Sequence, residues 1–224
     1  MKRFLRILLL LPCVTLCILA ASSAANPGSA AAEPVARVLV LGDSVFHSFH
    51  HIKSARRVMN EQQTTIFATQ TCQRLVTVGC RPAARLSSLD QLQRFSGRFS
   101  DVVVVGTGYN DRIGPEFRAA VKTITDEARQ QGVDVLWVTY REVRQVRGKA
   151  RVMNEQLRRL DSTIDNLFIA DWNAFADKDR DWFRADRLHL VAPGAVAMAE
   201  MLNANLAPIL AARDAARSLS DPTD

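Results

Sequence analysis

The chain has 224 residues, 48% hydrophobic and 23% charged, which excludes a disordered charged tail, a collagen-like fibre and a multi-pass membrane protein. That length fits one compact domain with short extras. Its 29 basic and 23 acidic residues give a formal charge of +6 and an isoelectric point near 9.5, which by itself points toward nucleic acid or an anionic surface.

The placement of the charges removes much of that signal. Lys2, Arg3 and Arg6 precede an apolar run from Ile7 to Ala21 that ends in Ala21-Ser22-Ser23-Ala24-Ala25. A basic start, an apolar core and small residues at its end are the pattern of a secretory signal peptide, expected over residues 1–25. A spanning helix needs about 20 apolar residues, and this shorter core holds Pro12, so no stable membrane insertion is expected after cleavage. Cys13 and Cys17 lack the preceding small residues of a lipoprotein site. Cleavage removes three basic residues and no acidic ones, leaving +3 on a mixed-sign surface, and no nucleic-acid partner is expected. It also leaves Cys72 and Cys80 as a pair, which in an oxidising exterior reads most simply as one disulfide. Residues 26–35 read as a flexible lead-in, 36–213 as the domain and 214–224 as a C-terminal tail.

Arg37 to Leu41, stopped by Gly42, has the composition of a strand buried on both faces. Helical composition follows from Phe46 to Gln62, then a strand over Thr64–Ala68 and a short helix over Leu89–Phe95. Asp101 to Val105 is the strongest strand, ending at Gly106. Pro115 opens a helix that runs to Gln131 and stops at Gly132. Val133–Thr139 is a fourth strand, Lys149–Leu160 a helix, Leu167–Ala170 a fifth strand and Pro193–Ala212 a closing helix. Strands alternating with helices specify a parallel sheet covered on both faces, a three-layer α/β/α domain of about five strands. Arg57 to Gln62 recurs as Arg151 to Gln156, but the flanks differ, so the two are similar helix faces and not a repeat.

In such sheets the chemistry gathers at the carboxyl ends of the strands. The first strand ends in Gly42-Asp43-Ser44-Val45 and the third in Gly106-Thr107-Gly108-Tyr109-Asn110-Asp111, while the loop after the fifth carries Asp186-Arg187-Leu188-His189. A serine hydroxyl needs a base to take its proton, and the base needs a group that fixes its tautomer. Ser44, His189 and Asp186 fill those roles. The Ser44 N–H and the Asn110 side-chain amide are the candidate oxyanion donors.

These three blocks resemble the GDSL, GxND and DxxH blocks of the SGNH hydrolases, with Val45 where leucine is common. They occur in that family's order, and the span from Val38 to about Leu210 covers most of the chain after the signal. The resemblance implies a flavodoxin-like fold and metal-free, cofactor-free ester hydrolysis through an acyl-serine intermediate. The family usually presents a glycine after the second strand whose N–H completes the oxyanion hole. Here the stretch reads Ala68 to Arg74 without glycine, and Gln73 is the expected equivalent by its distance from the strand. Three substrate roles stay open: hydrolysis of a short acyl, lipid or envelope-glycan ester, acyl transfer to a glycan hydroxyl, or glycan or lipid binding without catalysis. Each is extracytoplasmic.

The remaining chemistry-bearing residues are expected to be structural. His47, His50 and His51 read as a polar helix face, because no carboxylate or thiol falls at a supporting metal-ligand spacing. Asp111 reads as structural. Trp137, Trp172 and Trp182 read as packing, with Trp182-Phe183 as the alternative lining of an acyl pocket. The Arg-rich stretch from Arg141 to Arg159 reads as a solvated face. Gly106-Thr107-Gly108 lacks the third glycine of a dinucleotide fingerprint.

Overall fold

The structure, a computed structural model, describes residues 36–80 and 84–220. The expected signal peptide and lead-in lie outside them. Five strands form one parallel sheet: β1 (Ala36–Gly42), β2 (Thr65–Thr69), β3 (Phe99–Gly106), β4 (Asp134–Val138) and β5 (Leu167–Ala170), in the order β2-β1-β3-β4-β5. This is the three-layer, flavodoxin-like architecture expected from the alternation of elements, with its topological switch between β1 and β3.

The apolar runs in β1 and β3 supply both faces of the sheet. Val38, Val40, Val102 and Val104 enter one core with residues of α2 (Lys53–Asn60) and α7 (Ala192–Ser220). Leu39, Leu41, Val103 and Val105 enter the other with residues of α3 (Ser88–Arg94), α4 (Pro115–Gln130) and α5 (Arg147–Asp161). Successive side chains of a strand point to opposite faces, so a continuous branched run buries two layers at once.

Four elements differ from the sequence expectation. The helix expected from Phe46 to Gln62 is two helices, α1 (Ser48–His51) and α2, separated at Ile52, whose φ and ψ of −100° and 89° break the helical path. A short helix α6 (Trp172–Phe175) follows β5, capped by the Asp171 side chain, which accepts the Ala174 N–H. The two similar hexapeptides also diverge, since Asn60 is exposed whereas Asn154 is buried and bonded to the Tyr140 backbone.

The fourth difference is at the C-terminus, where the expected tail is helical to Ser220. Its reason is Asp101, whose buried carboxylate receives Arg37 at 2.6 Å, Arg213 at 3.0 Å and Arg217 at 2.5 Å. Burial would raise its pKa, but the three guanidiniums overcome that and hold it at about 2. The last turns of α7 are thereby tied to the amino end of β3. α7 is long and apolar enough to cross a membrane, yet Ala195, Met198, Ala199, Leu202 and Leu206 are buried in the core, as in a soluble core helix.

Candidate active site

The carboxyl ends of β1 and β3 are built for close approach. Gly42 and Gly106 are register partners, and the Phe46 ring lies against both. A Cβ on Gly42 would fall 2.2 Å from Phe46, and one on Gly106 2.1 Å from it. The two glycines therefore let Phe46 fold down onto the sheet, which brings the turn carrying Ser44 over the strand ends. Asp43 closes that turn. Its buried carboxylate accepts the Val45 N–H at 3.1 Å and, from the loop after β3, the N–H groups of Gly108 and Tyr109 at 3.3 and 3.2 Å. Burial pushes the Asp43 carboxyl up to about 6, against these three N–H donors, which favour the charged form.

Ser44, His189 and Asp186 meet in one hydrogen-bonded chain. His189 Nε2 lies 2.9 Å from Ser44 Oγ, and His189 Nδ1 lies 2.7 Å from Asp186 Oδ2. The other Asp186 oxygen accepts the N–H groups of Leu188 at 2.9 Å and His189 at 3.0 Å. Burial opposes ionisation of Asp186, but those N–H groups and the imidazole prevail and hold its pKa below the usual carboxylate value. An ionised Asp186 accepts from Nδ1, which leaves Nε2 free to accept the Ser44 proton.

The loop bearing Asp186 and His189 is itself pinned. The Arg184 N–H donates to the His189 carbonyl and the Arg187 N–H to the Arg184 carbonyl, each at 2.8 Å, while Phe183 and Leu190 pair as an antiparallel bridge. Arg187 sits at φ 60° in the left-handed region, and its carbonyl is held by the Arg141 guanidinium. Arg141 is a correction to the sequence expectation, because it is buried and not part of a solvated face. Its guanidinium lies over the Phe183 ring, 3.5 Å from the centroid, and donates to the Ala176 carbonyl at 3.5 Å. The Arg141 backbone N–H donates to the Tyr109 hydroxyl at 2.6 Å, so Arg141 links the loop after β3 to the one bearing His189. Its sequence signal is an arginine in the loop that follows β4.

The two remaining expected site residues lie together. The Asn110 amide donates to the Gln73 carbonyl at 3.1 Å. The Gln73 N–H, expected to face an oxyanion, instead donates to the Gln70 carbonyl at 3.2 Å and closes a turn. In that turn the left-handed position, where glycine would be easiest, is taken by Cys72 at φ 68°. Cys72 is disulfide-bonded to Cys80, and the Cys80 N–H donates to the Cys72 carbonyl at 3.2 Å. Asp111 accepts the Leu75 N–H at 3.1 and 3.2 Å, the structural role expected of it, and burial raises its pKa to about 6. Asn110 opens on a cavity of about 390 Å³ that it shares with Arg74, Asp111 and Arg112.

Ser44 and His189 line a cavity of about 240 Å³ with His47, Ser48, His51, Thr71, Arg184 and Leu190. His47 and His51 therefore face the site and are more than a solvated helix face. Among the described residues no group of three histidine, cysteine or carboxylate side chains is placed to hold a metal ion. Trp182 stacks on Trp172 and Phe175 and lines no part of this cavity.

No family model matches the chain, and no curated protein matches it significantly. Solved structures do. The catalytic domain of peptidoglycan O-acetyltransferase A from Streptococcus pneumoniae aligns with a TM-score of 0.61 at 16% identity, over 78% of this chain and 94% of that one. A carbohydrate acetylesterase, Est24 from Sinorhizobium meliloti, aligns with a TM-score of 0.61 at 12% identity, over 77% and 99%. A GDSL-like lipase from Bacteroides thetaiotaomicron aligns with a TM-score of 0.54 at 13% identity, over 75% and 85%. The chain has the SGNH hydrolase fold.

Proposed function

We propose that the protein is an SGNH-type serine enzyme that takes acyl groups from esters outside the cytoplasm. The observation that carries this reading is the chain from Ser44 Oγ through His189 to Asp186, at 2.9 and 2.7 Å. In the proposed reaction His189 Nε2 removes the Ser44 proton as Oγ attacks the ester carbonyl, and the imidazolium formed is stabilised by Asp186. The Ser44 N–H, which has no partner among the described residues, and the Asn110 amide proton left over from its bond to Gln73 receive the oxyanion. His189 then returns the proton to the leaving alcohol, and water or another hydroxyl releases the acyl group by the reverse steps.

The small cavity beside Ser44 favours a short acyl group, since pockets for larger ligands run to about 300–1,000 Å³. Its lining of hydroxyls, imidazoles and a guanidinium, with Leu190 alone apolar, suits a polar alcohol. Two of the similar structures are named for acetyl chemistry on carbohydrate or peptidoglycan, which supports an acetylated glycan as the ester and keeps acyl transfer as the second reading. The signal-like segment and the Cys72–Cys80 disulfide support an envelope or secreted location.

Ser44→Ala is expected to lower turnover of p-nitrophenyl acetate by about 10⁴-fold or more, with an unchanged circular dichroism spectrum. The wild type is expected to be labelled at Ser44 by an organophosphonate. Full turnover in the alanine variant would end the reading. Product analysis with a glycan acceptor present separates hydrolysis from transfer.

A further inference from the structure

The cavity that holds Ser44 and His189 is also lined by three further basic side chains, His47, His51 and Arg184, and by no carboxylate. Arg184 is solvent-exposed at this cavity, and its side chain makes no hydrogen bond or ion pair among the described residues. His51 makes no hydrogen bond among them either and rests edge-on against the His47 ring, with centroids 5.3 Å apart. The Arg184 backbone is fixed to the loop of the base, since its N–H donates to the His189 carbonyl at 2.8 Å. A guanidinium without a protein anion at the edge of this cavity, on a backbone bonded to that of the base, can fork onto a planar oxyanion group.

We infer that Arg184, with His51 lining the same cavity, forms a carboxylate-binding subsite beside Ser44, so that the preferred substrate is a short acyl ester whose alcohol portion carries a carboxylate, such as an acidic sugar. This rests on the proposed esterase or acyl-transfer reading. The alcohol half of the ester leaves on the side where His189 returns its proton, and Arg184 stands in the same loop. A carboxylate on that half therefore anchors the leaving group where the proton is delivered. A neutral sugar makes no such contact and leaves Arg184 in water.

The test compares two substrates that differ only at the carboxylate, an O-acetylated glucuronic acid and the matching O-acetylated glucose. The quantity read is the ratio of kcat/KM for the acidic over the neutral ester, which cancels any loss of fold or chemistry common to both. The wild-type ratio is expected to be about tenfold to a hundredfold. Arg184→Lys should keep part of it and Arg184→Glu should bring it to one or below. A wild-type ratio near one, or a ratio unchanged in Arg184→Glu, overturns the subsite while leaving the esterase reading in place. Failure of the wild type to turn over either ester, with Ser44 unlabelled by organophosphonate, overturns the parent reading and the subsite together.

Discussion

Asp43 shows how much one side chain contributes to this site from outside the Ser44–His189–Asp186 chain. One carboxylate oxygen turns the chain after Ser44, and the other collects two N–H groups from the loop that carries Asn110. Asp43→Asn keeps one acceptor and replaces the other by an amide that faces two donors, so it should cost about 2 kcal/mol in urea unfolding and lower kcat as well. Its titration has a definite sign. Burial lifts the folded carboxyl to about 6, above the unfolded value near 3.9, so between those values the native state holds the extra proton. Stability from this group is full below about pH 4 and is lost as pH rises through about 6. Asp111 acts in the same direction, also near 6. Unfolding measured from pH 4 to 7 should show a falling contribution that flattens in Asp43→Asn.

At the scale of the element, the ends of β1 and β3 work as one seat for Phe46. The sequence marks Gly42 and Gly106 only as strand stops. Their pairing across the sheet, with Phe46 over both, makes them the reason that Ser44 can stand above the strand ends. Gly106→Ala should push Phe46 off this seat, costing about 1–3 kcal/mol and lowering kcat for p-nitrophenyl acetate. Phe46→Ala removes the clash but leaves a cavity, at about 3–5 kcal/mol. The double variant should be more stable than the sum of the two costs implies, because the alanine methyl then has space. Strict additivity in a double-mutant cycle would show that the two residues do not share the seat.

Across the whole molecule, the two ends of the sheet have separate tasks. The carboxyl end brings Ser44 to His189, while the amino end of β3 holds Asp101 under Arg37, Arg213 and Arg217. Asp101→Asn leaves three guanidiniums facing one another around a buried amide and should cost about 3 kcal/mol, read as a lower urea midpoint. Turnover per folded molecule should be unchanged, since Asp101 lies at the opposite end of its strand from Gly106. Asp101 also titrates opposite to Asp43. Held at about 2 when folded, it contributes stability that is present above about pH 4 and lost as pH falls toward 2.

The three layers and the five strands were legible in the residues alone, because branched apolar runs ended by glycine and alternating with amphipathic helices leave few ways to bury both faces of a sheet. The sequence also singled out Ser44, Asp186 and His189, which the fold joins in one hydrogen-bonded chain, since each falls at a strand's carboxyl end or in the loop after one. What those residues rest on follows from the packing of the elements. Arg141 leaves the surface to hold the Arg187 carbonyl, Arg217 reaches back to Asp101, and the Gln73 N–H is taken by the Gln70 carbonyl. Each of these depends on a partner far along the chain or on the direction of one N–H. Local pattern records which face a residue takes, whereas a long-range partner is chosen only when the elements pack.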